Sequence, residues 1–281
     1  MTARPRVAVV IVSFNVREDL TRCLESLHVH PPAATHEIVV VDNASRDGSA
    51  AAVRDRWPDV LVLEFQRNLG FAAATNEGIR ATRQGGAPLI LLLNPDTVVP
   101  AGALDRLIDR LLAHPGVAAA GPRLVDASGT VELSWGPMVA PFAELHQKMM
   151  TRLQQSGWRT ATSVAERRTS RERFVDWVSG ACLLVWRADA EAVGLLDERY
   201  FLYLEDVDFC AALRARGRRI LFTPASEIVH LRGRARASAP AATEEAYRRA
   251  QIAFYEKHHP GWAGLLRRYL RIRGKLEPDR T

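Results

Sequence analysis

Residues 7–12 read Val-Ala-Val-Val-Ile-Val, an apolar run in which five of the six side chains are β-branched. A strand without polar alternation has apolar neighbours on both faces, which places it inside a parallel sheet covered by helices on both sides. Similar runs recur at 38–41, 60–63 and 89–93, separated by segments of helical character. In the first of these, Leu20, Leu24 and Leu27 share one side, with Asn15 available as cap and Glu18 at the capping-box position. Pro100 opens a later helix striped by Leu104, Leu107, Ile108, Leu111 and Leu112. Strands and helices alternating in this way, joined by right-handed crossovers, predict an α/β fold with a doubly wound sheet.

From about residue 117 the rhythm changes to short strands and turns. Residues 137–172 are polar and Arg-rich, with helical spacing at Phe142, Leu145, Met149 and Leu153. A strand pair or bend follows in 173–187, then a helix after 205 and a strand over 226–230. Residues 232–242 predict a mobile loop, and the tail from 243 predicts two helices broken at Pro260-Gly261.

Composition narrows the class further. With 281 residues, 47% hydrophobic and 25% charged, the chain has the make-up of a globular enzyme with a large core. No run approaches the roughly 18 apolar residues of a membrane span. The apolar start is too short for a signal peptide, so a cytoplasmic location is expected. Cys23, Cys182 and Cys210 lack any CxxC spacing and read as buried core thiols. The net charge of +6 is uneven: residues 214–281 carry 16 Lys/Arg against 6 Asp/Glu, so the remainder is net acidic. A basic C-terminal segment points to an anionic surface, membrane or nucleic acid. Against nucleic acid, the tail has no zinc motif and no RNP-like aromatics.

Ligands of open α/β sheets bind at the carboxyl ends of the strands. Polar clusters end four strands here: Ser13-Phe14-Asn15, Asp42-Asn43-Ala44-Ser45, residues 66–71, and Asn94-Pro95-Asp96-Thr97. The first strand lacks GxGxxG, which excludes the ordinary dinucleotide fingerprint. Asp42 is either a turn former or an acceptor for a ribose or base edge. Asp96 is either a helix N-cap or a carboxylate for a hard divalent cation, and His230 gains meaning only in such company. Residues 200–210, Tyr-Phe-Leu-Tyr-Leu-Glu-Asp-Val-Asp-Phe-Cys, place three acids in apolar surroundings. Asp206 reads as a helix cap, as a general base, or as both, with Asp208 favoured in the first turn by the helix dipole.

Six segments in register resemble the family-2 glycosyltransferases of the GT-A fold, closest to their rhamnosyltransferase-like branch. They are 9–15, 39–49, 68–79, 91–97, 179–210 and 228–230, spread over most of the chain. The resemblance implies a Rossmann-like, mostly parallel sheet flanked by helices, with a C-terminal helical extension. It implies a glycosyltransferase domain over 1–235, with a nucleotide-sugar half to about 115 and an acceptor half over about 116–235. Residues 236–281 form the basic extension. The implied activity is inverting transfer from a nucleotide-sugar, dTDP-L-rhamnose in this branch, to a lipid-linked or cell-wall glycan. A UDP-hexose or UDP-galactofuranose donor, and a catalytically silent glycan-binding relative, are the alternatives.

Carried over by resemblance, Ser13, Asn15, Asp42, Asn68, Gly70, Phe71, Asn76 and Asn94 surround the nucleotide-sugar. Asp96, the last acid of the family's DXD motif, and His230 hold Mg²⁺ or Mn²⁺. Asn94 stands where that motif has its first acid. Asp206 is the base, Glu205 contacts the acceptor, and Asp208 mainly serves the helix start. The extension offers Trp262, Leu265, Leu266, Tyr269, Leu270 and Leu276 beside five basic residues. It reads either as a helix packed on the domain or as an interfacial helix on anionic lipid at the inner face of the cell membrane.

Overall fold

The computed structural model describes residues 4–82, 86–140, 165–231 and 240–276. The helical spacing read at 142–153, and all but the end of the loop read at 232–242, lie outside them. One sheet organises the molecule, in the order β3-β2-β1-β4-β11-β6-β12-β5. Its members are β1 (Val7–Ser13), β2 (His36–Asp42), β3 (Leu61–Glu64), β4 (Leu89–Leu93), β5 (Thr97–Val98), β6 (Val117–Val125), β11 (Cys182–Trp186) and β12 (Arg219–His230). Short strands β7 (Val131–Glu132) and β9 (Arg173–Val175) pair with β6 and β12. A separate ribbon joins β8 (Trp135–Gly136) to β10 (Trp177–Val178).

The helices are α1 (Arg17–Val29), α2 (Ser49–Arg56), α3 (Phe71–Ala81), α4 (Ala103–Leu112), α5 (Arg187–Ala192), α6 (Glu205–Ala215), α7 (Pro240–His258) and α8 (Pro260–Ile272). The unbroken apolar run of β1 is explained by two cores. Val7, Val9 and Ile11 face one with Leu20, Leu24, Leu107 and Leu111, while Val10 and Val12 face the other with Ile79, Phe209 and Phe254. Gly78 lets α3 press onto that second face, because a Cβ there would stand 2.5 Å from Val10 Cγ1.

Strand polarity creates the site. β1, β2, β3 and β4 run parallel, and β12 runs parallel to β6. β11 alone among the long strands is reversed, antiparallel to both β4 and β6. Its beginning, Cys182, therefore lies opposite Leu93 at the end of β4. The carboxyl ends of the other strands and residues 179–181 share one edge.

Three local expectations are corrected. Asn15 does not cap α1: it has φ 54, and the Arg17 N–H donates instead to Asp47 Oδ2 at 2.8 Å. Pro100 does not open α4, which begins at Ala103 behind the left-handed Gly102. The strand expected over 226–230 begins at Arg219, and its irregularity between Thr223 and Glu227 hid the first half. The three thiols are buried and unpaired, as expected. Burial pushes Cys23 and Cys210 up to about 12.

Candidate active site

Ser13 and Asp42 face each other in register at the ends of β1 and β2, and both are buried. Asp42 Oδ1 accepts the Ser45 N–H at 2.7 Å, which holds the turn after β2. Its Oδ2 and the Ser13 hydroxyl are buried with no hydrogen-bond partner among the described residues. Such orphans are rare enough to call for an absent ligand or water. Asn15 is held beside them, accepting the Arg46 N–H at 2.7 Å and donating its own N–H to Ser45 Oγ at 3.0 Å.

Asn43 is a residue that sequence reasoning missed. Its amide donates to Asn68 Oδ1 (2.9 Å) and accepts the Leu69 N–H (2.8 Å), locking the loop after β3. Its only signal was its place beside Asp42 at a strand end. At the far side of that loop, the Phe71 N–H donates to the Phe201 carbonyl at 2.6 Å. Gly70 has φ 83, and a Cβ there would sit 2.6 Å from the same oxygen, so only glycine fits. Asn76 lies apart from these groups, on α3. Its amide is consumed by the Leu196 backbone (2.8 and 3.0 Å) and Glu198 (3.0 Å), beside a cavity of about 320 Å³ that Asp197, Asp208 and Lys257 also line.

At the end of β4, the Asn94 N–H donates to the Ala181 carbonyl at 2.9 Å. One residue away, the Gly180 N–H donates to Asp206 Oδ2 at 2.8 Å. The turn before β11 thus bridges the DXD-like segment to the acidic helix. Asp96 is not a helix cap, since its carbonyl accepts the Leu231 N–H at 2.8 Å and β5 pairs with β12. Its carboxylate meets His230 Nε2 at 3.2 Å, and Glu132 Oε2 meets Nδ1 at 3.2 Å. Glu132 is a second missed residue, brought in by the β6–β7 pairing. Burial opposes the charge on His230, yet the hydrogen bonds to Asp96 and Glu132 outweigh it and raise His230 to about 9. Among the described residues, no group of three or more His, Cys, Asp or Glu forms a cation cage. Asp96 offers a carboxylate oxygen to a divalent cation that takes its other oxygens from phosphate and water, whereas His230 could join it only by giving up the ring proton that Asp96 and Glu132 favour.

Tyr203 and Leu204, at φ 75 and 66, are consecutive non-glycine residues in the left-handed region. This strained pair throws the chain into α6, and Leu204 occupies the N-cap with no side-chain cap. Asp206 is therefore not the cap but the second helical residue, its Oδ1 accepting the Val207 N–H at 2.8 Å. Glu205 is buried, and its Oε2 has no partner. Burial, then the charge of Asp206, raises Glu205 to about 8. Burial raises Asp206 as well, but the N–H groups of Gly180 and Val207 counter it. Burial outweighs those N–H groups, so the Asp206 carboxyl still lies above its ordinary value.

Asp208 departs from its expected role. It is buried, with Oδ1 accepting from His258 Nε2 (2.6 Å) and Oδ2 from Lys257 Nζ (2.8 Å), both on α7. That helix is part of the core, with Phe254 and Tyr255 buried in it.

The mostly parallel sheet flanked by helices, with polar side chains gathered at its strand ends, has the fold of the GT-A glycosyltransferases. The solved structures agree on the fold. A mannosyltransferase from Pyrobaculum calidifontis in complex with GDP-Man and Mn²⁺ aligns with TM-score 0.59 and 20% identity, over 95% of this chain and 69% of that one. GalNAc-T7 with UDP, GalNAc and Mn²⁺ aligns with TM-score 0.59 and 17% identity, over 82% of this chain and 44% of that one. The sequence profile of Glycosyl transferase family 2 matches residues 8–175, and the chain belongs to that family. It is similar to the N-acetylglucosaminyl-diphospho-decaprenol L-rhamnosyltransferase of Mycobacterium tuberculosis, 32% identical over 90% of this chain and 85% of that protein.

Proposed function

We propose that this enzyme transfers L-rhamnose from dTDP-L-rhamnose, with inversion, to a sugar carried on a polyprenyl diphosphate. The observation that carries the reading is the 32% identity to a rhamnosyltransferase over 90% of the chain. In this reading residues 1–115 bind the donor, 116–235 the acceptor, and 236–281 form the basic extension. Ser13 and Asp42 take the base and ribose edge with their free oxygens, flanked by Asn15, Asn68, Gly70, Phe71 and Asn94. Asn76 is left out because its amide is already used.

Asp206 accepts the proton of the acceptor hydroxyl as that oxygen bonds to the anomeric carbon. The bond from that carbon to the diphosphate oxygen breaks on the opposite face. A general base supports such a step by about 10²–10⁴-fold. Mg²⁺ or Mn²⁺ held by Asp96 and His230 would neutralise charge on the leaving diphosphate. Glu205, buried and raised by burial and by the Asp206 charge, keeps its free oxygen for the acceptor side.

The extension fits an anionic bilayer. No described helix is long and apolar enough to cross a membrane. On α8, Ala263 and Leu270 face inward, while Trp262, Leu265, Tyr269 and Ile272 are exposed. Residues 260–276 carry five basic side chains and no acid. This describes an interfacial helix that holds a cytoplasmic enzyme on the inner face of the membrane, beside a lipid-linked acceptor.

Turnover of dTDP-L-rhamnose, UDP-glucose and UDP-galactofuranose, with Mn²⁺ and with EDTA, tests the reading. Transfer from dTDP-L-rhamnose alone, lost in EDTA and in Asp96→Ala, is expected. Turnover of a UDP-sugar alone overturns the donor, and full activity in EDTA overturns the metal.

A further inference from the structure

Asp208 lies two residues beyond the proposed base on α6, and its side chain is only 2% exposed. Burying a carboxylate is expensive unless it is paired, and the partners here come from about fifty residues away. Lys257 Nζ donates to Asp208 Oδ2 at 2.8 Å and to Asp197 Oδ2 at 2.8 Å. His258 Nε2 donates to Asp208 Oδ1 at 2.6 Å, and the Tyr200 hydroxyl approaches the same oxygen at 3.3 Å. The next residue, His259, donates through Nε2 to the Val139 carbonyl at 2.8 Å. The last turn of α7 is thus fastened to α6, to the 197–200 segment and to residue 139.

The start of α6 needs such an external hold. No side chain caps it, and two left-handed residues precede it. A strained entry persists only when surrounding contacts over-determine it. On the chemistry side the contact is the Gly180 N–H to Asp206. On the other side, Lys257 and His258 hold the same helix through Asp208.

We propose that Lys257 and His258 are positioning residues for sugar transfer, holding the Asp206 carboxylate in register through Asp208. The inference rests on the reading of Asp206 as base. A shift of about 1 Å in a reacting group costs on the order of 10²-fold in rate, so loosening the helix lowers kcat without touching the donor edge.

The test uses the full chain carrying Lys257→Met, Lys257→Arg, His258→Gln or Asp206→Asn. Calorimetric titration with dTDP and Mn²⁺ counts folded sites, and kcat is expressed per dTDP-binding site. Lys257→Met should bind dTDP with wild-type affinity and stoichiometry, with kcat reduced roughly tenfold to a hundredfold. Lys257→Arg, which keeps charge and reach, should recover most of that loss. A merely structural clamp lowers the number of binding sites or the melting temperature while kcat per site stays at the wild-type value. That result overturns the proposal. If Lys257→Met does not fold, His258→Gln carries the same comparison, and a wild-type kcat per site there overturns it too. Asp206→Asn separates the two readings. Activity retained in Asp206→Asn removes the base, whereas an inactive Asp206→Asn beside a fully active Lys257→Met removes only the clamp.

Discussion

The ends of β1 and β2 and the first turn of α6 hold their polar groups by contrasting means. At the strand ends, neutral amides and backbone N–H groups tie loop to loop, as in Asn15 with Arg46 and Asn43 with Asn68. They leave the Ser13 hydroxyl and Asp42 Oδ2 buried and unpartnered. On α6, three acids within four residues are told apart by what meets them. Asp208 is saturated by two side chains of α7, Asp206 takes two backbone N–H groups, and Glu205 keeps one oxygen free. A saturated acid is a fixture, and an unsaturated one is available to a ligand. Asp208 is thus fixed by side chains, whereas Asp206 is held by backbone N–H groups alone, one on each oxygen, which leaves each oxygen a further lone pair.

The largest expected effect tests the base. Asp206→Asn should slow transfer by about 10²–10⁴-fold, measured as initial rate with saturating donor, while dTDP binding stays normal. A near wild-type rate would reduce Asp206 to a tether for Gly180. Next comes Asp208→Asn, which weakens a buried pairing. Removing one partner of such a pair typically costs about 3–5 kcal/mol. Because Lys257 retains Asp197, a loss near the lower end is expected in chemical denaturation. A loss below about 1 kcal/mol, the scale of a helix-dipole contact, would return Asp208 to the helix start.

Asp42→Asn sharpens the other side of the comparison. If Oδ2 serves a ligand, dTDP affinity should fall by about 1.5–3 kcal/mol, the worth of a hydrogen bond to a charged group, with little change in melting temperature. Lost stability with unchanged affinity would make Asp42 a turn residue. The smallest effect concerns pH. Glu205 rises from 4.5 to about 8 in the folded chain, so folding favours its protonated form. That preference is complete below about pH 4.5 and is lost as pH climbs toward 8. Glu205→Gln mimics the protonated acid and should become more stable relative to wild type between pH 5 and pH 8. Parallel stability profiles would show that Glu205 is already ionised in the fold.

The unbroken β-branched runs and their spacing determined the α/β class, because strands covered on both faces must be apolar throughout. Asp96 and His230, read together as metal ligands from the resemblance, do lie in contact. Local propensity could not show that Asp47 rather than Asn15 serves the start of α1, or that Asn76 is spent on the 196–198 loop. Nor could it find Glu132, whose place depends on a short pairing at the edge of β6. Asp206 and Asp208 carry the same side chain two positions apart, and nothing in their local spacing foretells their different partners. Only the tertiary structure supplies them: the reversed β11 brings a backbone N–H to one, and the return of α7 brings a lysine and a histidine to the other. A carboxylate's chemistry is set by the groups that surround it, and those groups arrive from distant parts of the chain.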